Sequence, residues 1–277
     1  MAFKSPLINV MTGAALKAGR ALVRDFGEVE NLQVSRKGPA DFVSVADVKA
    51  ENILRRELSR ARPGFGFLME ESGAVAGDDP SHRWIVDPLD GTTNFLHGIP
   101  HFAVSVGLEQ DGAIIAGVIY NPISDEMYWA EKGQGAFLND RRLRVSAREN
   151  LSDAVLATGI PHLGRGDRAG FLAVLDDVMT KVAGVRRFGC ASLDLAYVAA
   201  GRCDGFWEAD LDAWDVAAGA ILVREAGGYV TNYKGGDAIF AAREIIAGND
   251  RMHESLRKLL SQRPIDNEVA NAQAAGT

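Results

Sequence analysis

Trp84-Ile85-Val86-Asp87-Pro88-Leu89-Asp90-Gly91-Thr92-Thr93-Asn94 is an apolar run that ends in Asp-Pro-x-Asp and passes at once into Gly-Thr-Thr. Its apolar part, Arg83–Val86, reads as a short strand bounded by turn residues. Pro88 fixes φ and turns the chain where the strand ends, which frees the backbone there. Two carboxylates and the Leu89 carbonyl could then converge on one hard cation, and oxygen-only ligation suits Mg2+. Gly91 permits a tight turn, and the amides of Gly91, Thr92 and Thr93 face an anion if a helix starts there. A carboxylate cluster loaded with metal beside a helix N-terminus is, in outline, a place for a phosphate ester. By itself, Asp-Pro-x-Asp is equally readable as a plain turn.

Further carboxylates stand in comparable places on either side. Glu70-Glu71 closes a predicted strand, Phe65–Met69. Trp214-Asp215 opens a predicted helix that runs to Glu225. Ser44 and Asp47 stand three apart ahead of Val48, Ile53, Leu54 and Leu58, the pattern of a capped helix start. Singly, the Glu pair reads as a solvated strand end, and Asp47 and Asp215 as helix caps. Their joint occurrence in this order points to a shared site.

The rest of the chain supplies a scaffold of mixed α and β elements. Leu7, Met11, Ala14, Ala18 and Leu22 follow a helical rhythm after Ser5-Pro6. A loop containing Lys37-Gly38-Pro39 follows. His101–Gln110, the Asp111-Gly112 turn and Ala113–Tyr120 form the clearest hairpin. Met127–Ala130 and Gly135–Leu138 make a second strand pair, with Asn139-Asp140 as its turn. After residue 150 strands and helices alternate: strands at Ala154–Thr158, Gly205–Glu208, Tyr229–Asn232 and Ile245–Ala247, and helices at Ala169–Val182, Ser192–Ala200, Asp215–Glu225 and Met252–Leu260. The expected organisation is an N-terminal half, 1–148, that carries most of the acidic ligands. A C-terminal half, 149–263, carries Glu208 and Asp215. Residues 264–277 form a polar, Ala-rich tail without periodicity that is expected to be disordered. No long linker separates the halves, so one compact body is expected.

Composition removes several classes. Lys plus Arg is 30 and Asp plus Glu 37, a net charge of −7, which argues against a dedicated nucleic-acid binder. Bound cations can still supply the positive charge a phosphate needs. Gly is 30 of 277 residues, above the usual ~7%, but the glycines are spread through turns. The two cysteines, Cys190 and Cys203, are too few for a disulfide scaffold and are expected to be free thiols in a reducing cytoplasm. Apolar runs are about half a membrane span. There is no Walker A loop or dinucleotide fingerprint. Ser105, in Ala103-Val104-Ser105-Val106-Gly107, sits mid-strand, where a nucleophile elbow needs a strand-to-helix turn. Cysteine- and aspartate-phosphatase loops, an EF-hand and zinc spacings are missing as well.

The whole pattern resembles the inositol monophosphatase family, the lithium-sensitive, Mg2+-dependent phosphatases. Trp84–Phe95 and Trp214-Asp215-Val216-Ala217-Ala218-Gly219, running on to Glu225-Ala226-Gly227-Gly228, match its two signatures. The likeness extends from about Pro6 to about Leu260, and Leu193–Arg202 is similar to the bacterial branch. The resemblance implies a layered αβαβα sandwich of the inositol monophosphatase and fructose-bisphosphatase type, a homodimer and a cytoplasmic enzyme. It implies hydrolysis of inositol monophosphate and similar sugar or polyol phosphates by a metal-activated water, with no covalent intermediate. Glu70, Asp87 and the Leu89 carbonyl would hold a first Mg2+, and Asp87, Asp90 and Asp215 a second. Glu70 would approach a third, and Mn2+ would be a substitute. Glu70, Thr92 and Asp47 would orient the attacking water. Gly91, Thr92 and Thr93 would meet the phosphate. Asp90, Asp215, Glu208 and the Gly189-Cys190-Ala191 stretch would meet the substrate, with Glu208 gripping hydroxyls. Lys37 falls in a loop that is mobile in relatives.

Two departures from the family pattern stand out. Met69 precedes the Glu pair where relatives often carry Gly, a tolerated change. Cys190 replaces a frequent Thr or Ser, and at a helix N-terminus its thiol is expected to have a lowered pKa and to be sensitive to oxidation. Other substrates used within the superfamily remain open: fructose 1,6-bisphosphate, histidinol phosphate and 3′-phosphoadenosine 5′-phosphate. A binding role with RNA polymerase, known for a bacterial relative, remains open too. Glu208 favours a polyol over a nucleotide, and the acidic charge disfavours direct RNA binding.

Overall fold

Ser5 and Pro6 start the first helix in the expected way: the Ser5 side chain accepts from the Ile8 amide at 3.1 Å, and Pro6 occupies the first turn. The structure is a computed structural model that describes residues 4–27, 34–38, 41–162 and 166–261, with backbone alone at 34–38 and 41–44. Helix α1 (Pro6–Phe26) buries Met11, Ala14, Ala18 and Leu22 of the predicted face and adds Ile8 and Ala15, while Leu7 is half-buried.

A hairpin of β1 (Val34–Gly38) and β2 (Asp41–Ser44) follows, where a loop is expected around Lys37-Gly38-Pro39. The expectation fails because Gly38 is absorbed at a register shift between Arg36 and Gly38 instead of ending the pairing. Lys37 lies in β1, and its side chain and the predicted tail, 264–277, fall outside the described residues.

Helix α2 (Val45–Ala61) leads into β3 (Phe65–Met69), β4 (Gly73–Val75) and β5 (Asp79–Asp90). One turn of helix, α3 (Thr92–Leu96), precedes β6 (Ala103–Gln110), β7 (Ala113–Asn121), β8 (Glu126–Glu131), β9 (Gly135–Leu138) and β10 (Arg141–Arg142). These strands form one sheet in the order β10-β9-β8-β7-β6-β5-β3-β4, antiparallel except where β3 lies parallel to β5. Asn139-Asp140 turns β9 into β10, not β8 into β9. The β8–β9 turn is made by Lys132–Gln134, where Gly133 takes the left-handed φ of 78°.

The second half gives β11 (Val155–Thr158), α4 (Arg168–Met179), β12 (Gly184–Arg186), α5 (Ala191–Ala199), β13 (Gly205–Ala209) and α6 (Ala213–Glu225). Then come β14 (Tyr229–Thr231), α7 (Ile239–Ala242), β15 (Glu244–Gly248) and α8 (Asp250–Ser261). The five strands pair in the order β12-β11-β13-β15-β14, parallel on the β12 side of β13 and antiparallel on the other.

Three apolar clusters order these elements into layers. Residues of α1 and α2 pack with Trp84, Val86, Val104, Val106 and Val118 on one face of the eight-stranded sheet. Residues of α5 and α6 pack with Ile119 and Tyr128 of that sheet and with Phe206 and Ile245 of the smaller one. Val174 and Val178 of α4 and Met252 and Leu256 of α8 cover Leu156, Trp207 and Ile246 on its far face. The sequence of layers is therefore αβαβα. Helix α6 sits very close to the large sheet, because Gly107 and Gly117 present no side chain to Ala217 and Ala218.

Candidate active site

Strand β5 lies between β3 and β6 and carries Trp84 through Asp90. Its pairing with β6 slips between Asp87, opposite Ser105, and Asp90, opposite Ala103. Pro88 and Leu89 form the bulge, a place where a strand interior tolerates proline. The bulge is pinned from within: the Leu89 amide donates to Asp87 Oδ1 at 2.9 Å, and the Thr92 hydroxyl to the Leu89 carbonyl at 2.9 Å. Gly91 has φ 93°, and a Cβ there would lie 3.1 Å from the His101 carbonyl, so glycine is needed for both conformation and space. Helix α3 does start at Thr92, as the phosphate reading requires, while Thr93 is exposed.

The neighbouring elements bring their acids to this bulge. The Glu70 amide, at the end of β3, donates to the Val86 carbonyl at 3.2 Å, which holds the Glu pair beside β5. Asp47, buried in the first turn of α2, accepts from the Thr92 hydroxyl at 3.3 Å. Oxygen atoms of Asp47, Glu70 and Glu71 lie within 4.8 Å of one another, a grouping able to hold a metal ion. Glu71 receives no ligand role from the sequence. The adjacent Glu51 carboxylate accepts from the Glu71 amide at 2.9 Å and so turns the pair inward. Glu51 lies in the second turn of α2, and no local motif in the sequence links it to the Glu pair 20 positions later.

Helices α5 and α6 contribute from the second half. The Ser192 amide, in the first turn of α5, donates to Asp90 Oδ2 at 2.7 Å, and the Cys190 thiol donates to the same oxygen at 3.1 Å. Asp212 is the N-cap of α6 and Asp215 stands at its third position, so Asp215 is not itself the cap. The Asp212 amide donates to Asp215 Oδ2 at 2.6 Å and orients that carboxylate. Arg243 pairs with Asp212 and donates to the Asp210 carbonyl at 3.2 Å, which steadies the strand-to-helix connection.

Burial and mutual repulsion govern the charges. Asp87 is held well above the usual carboxylate range by burial and then by Glu70, Asp90, Asp215 and Asp47. Burial raises Asp90 and Asp215 too, and Glu208 is pushed up to about 8 by burial and the charge of Asp90. Acids crowded this way, with oxygen donors alone, fit a hard divalent cation, which would remove the repulsion. The expectation for Cys190 is overturned. It does cap α5, but burial, together with the charge of Asp90, holds its thiol well above the ordinary value. Burial first, and then the charge of Asp90, 100 positions away in the chain, outweigh the helix end. Ser105 is buried inside β6 and donates to the Trp214 carbonyl at 3.3 Å, as its place mid-strand predicts.

These raised values set the sign of a pH effect. A carboxyl group with a raised folded pKa stabilises the fold fully below its unfolded value and loses that contribution as pH climbs through the folded value. For Glu208 this window runs from 4.5 to about 8. The melting temperature of protein held in EDTA should therefore fall from about pH 5 to about pH 9, and Mg2+ should raise it far more at the alkaline end. Thermal denaturation at both limits decides this; a metal-free melting temperature that climbs with pH would contradict it.

A cavity of about 610 Å3 opens over the cluster. Glu70, Asp90 and Asp215 reach its wall, as do Gly189, Cys190, Ala191 and Glu208, so residues from both halves share one space. Gly159 and Arg187 line it as well, without any signal in a local motif. Among the described residues, no helix is long and apolar enough to cross a membrane.

Comparison with known proteins agrees with this geometry. The model of the inositol monophosphatase family matches residues 4–264. The chain is 63% identical over 262 residues to the inositol-1-monophosphatase of Rhizobium meliloti (strain 1021), covering 95% of this chain and 98% of the other. It is 40% identical over 251 residues to the Nus factor SuhB of Escherichia coli (strain K12), covering 91% and 94%. The crystal structure of extragenic suppressor protein suhB from Bartonella henselae superimposes with a TM-score of 0.92 at 62% identity, covering 94% of this chain and all of that one.

Proposed function

The chain belongs to the inositol monophosphatase family, and on that premise we propose that it is a Mg2+-dependent phosphomonoesterase acting on inositol monophosphate and related small polyol phosphates. The observation that carries this reading is the convergence of Glu70, Asp90 and Asp215, which line a shared cavity, around the buried Asp87, with the four charges opposing one another. Glu70, Asp87 and the Leu89 carbonyl would hold one Mg2+, and Asp87, Asp90 and Asp215 another. Glu70, with Glu71 and Asp47 beside it, would serve a third, and Mn2+ is a substitute in all of them. Bound there, the ions supply positive charge for the phosphoryl oxygens and lower the pKa of water.

The chain's own residues divide the remaining work. Glu70 and the Thr92 hydroxyl orient the attacking water, and Asp47, 3.3 Å from that hydroxyl, takes the proton. The amides of Gly91 and Thr92, with Thr93 next to them, face the phosphate. Asp90 and the Gly189-Cys190-Ala191 stretch meet the alcohol side of the ester, and Glu208 grips its hydroxyls. Water is the nucleophile in this scheme, since Cys190 is buried as a thiol and Ser105 is buried in β6. Residues 1–148 thus provide most of the metal site, and residues 149–263 most of the alcohol site. Inhibition by Li+, a homodimer and a cytoplasmic location belong to the same proposal.

Phosphate release from a panel of esters, with and without Mg2+ and again with Li+, tests the reading. Mg2+-dependent release from inositol 1-phosphate, suppressed by Li+, is expected. Release mainly from fructose 1,6-bisphosphate, histidinol phosphate or 3′-phosphoadenosine 5′-phosphate would replace the substrate and keep the chemistry. No release from folded protein would move the weight to association with RNA polymerase, which a pull-down would then test.

A further inference from the structure

We propose that Gly159 is a positioning residue for Glu208: its missing side chain is the space in which the Glu208 carboxylate rests, and that placement sets the preference for phosphate esters with neighbouring hydroxyls. The inference rests on the functional reading above, in which Glu208 meets the alcohol side of the substrate.

The geometry is specific. Strands β11 and β13 run parallel, with Thr158 opposite Trp207, so Gly159 and Glu208 emerge side by side at the cavity wall. The Thr158 hydroxyl donates to the Trp207 carbonyl at 2.7 Å and lies 3.1 Å from the Gly159 carbonyl, which locks the two chains at this register. A Cβ on residue 159 would lie 1.7 Å from Glu208 Oε1, 2.0 Å from its Cδ and 2.5 Å from its Oε2. Contact between unbonded carbons needs about 3.5–4 Å. The carboxylate therefore lies directly over the glycine.

Two further observations say that glycine serves the carboxylate and not the backbone. Gly159 is not among the glycines with positive φ, so an L-residue is conformationally acceptable there. Its three nearest atoms all belong to the end of a flexible side chain. An added methyl group would be accommodated by rotating Glu208, not by moving a strand. Rotation takes the carboxylate from a place it holds against burial and the charge of Asp90. The substrate's hydroxyls then lose their partner while the phosphate site, on β5 and α3, is untouched.

The test compares wild type, Gly159→Ala, Glu208→Ala and the double variant on inositol 1-phosphate and on p-nitrophenyl phosphate, which offers no hydroxyls. Gly159→Ala should raise KM for inositol 1-phosphate about tenfold, as expected for losing one well-made hydrogen bond, with kcat little changed. KM and kcat for p-nitrophenyl phosphate should stay near wild type. In the Glu208→Ala background, Gly159→Ala should add nothing, because the two act as one unit. Equal changes on both esters, multiplying effects in the double variant, or failure of Gly159→Ala to fold would each overturn the inference, since all require a role apart from Glu208. A wild type active on both esters beside a silent Gly159→Ala would overturn this inference alone. A wild type releasing phosphate from neither would overturn the functional reading and this inference with it.

Discussion

Asp87→Asn should leave a folded protein whose phosphate release falls about a thousandfold or more. The carboxylate sits at the bulge of β5 and is buried, with Glu70, Asp90, Asp215 and Asp47 around it. Asn keeps the shape and can still accept from the Leu89 amide, which Asp87 Oδ1 meets at 2.9 Å. It removes one of the crowded charges, so the fold has nothing to lose electrostatically in the absence of metal. Catalysis loses a charged ligand proposed to serve two ions, and metal charge stabilisation amounts to several kcal/mol. About 4 kcal/mol corresponds to roughly three decades in rate. Two readouts separate the alternatives. In EDTA at about pH 8 the variant should melt no lower than wild type, and Mg2+ should raise its melting temperature much less. Near-normal turnover in Asp87→Asn would sink the metal assignment, and a lower melting temperature in EDTA would sink the account of the charges.

The legible part of this molecule is the part whose physics is local. Ser5-Pro6 and the spacing of Leu7 to Leu22 give α1 because capping and helical period are properties of consecutive residues. Asp87-Pro88-Leu89-Asp90 is legible in part for the same reason: proline restricts one bond between two acids, so an irregularity is written into four residues, but the strand runs on to Asp90 instead of ending at Val86. The bulge that results was not readable, since it is defined by the register with β6. Contacts across the chain explain the other differences. The Cys190 thiol takes its character from burial and from the charge of Asp90, and the Glu71 amide is held by Glu51. Asp215 loses the cap position to Asp212, which Arg243 holds from a later loop. The three-residue strand β12 is too short to carry a period, and only its pairing with β11 makes it a strand.

Glycines in the strands illustrate the same limit and give the second large effect. Gly117→Ala should destabilise the protein by about 3 kcal/mol, at the upper end of the usual range for overpacking a core. A Cβ on Gly117 would meet the Ala218 carbonyl at 2.7 Å, Ile221 Cγ2 at 2.7 Å and Ala218 Cα at 2.8 Å. Two of these atoms are helix backbone, so the strain cannot be relieved by one side chain rotating, in contrast to Gly159. Helix α6 has no room to retreat. On its other side Gly219 faces Leu195 of α5, and a Cβ there would lie 2.5 Å from the Leu195 Cβ. Any displacement of α6 also moves Asp215, its third residue, away from Asp90 and Asp87. Gly117→Ala should therefore need a higher Mg2+ concentration for half-maximal activity, in addition to a lower urea midpoint. The proper control is Gly13→Ala in α1, where a Cβ meets nothing within 4 Å. There the same substitution should stabilise by about 0.4–1 kcal/mol through the unfolded chain's lost freedom. Opposite signs at the two positions are the expected result. Equal, stabilising effects at both would mean that α6 is not pinned between the sheet and α5, and that the glycines of β6 and β7 do not position the acid it carries.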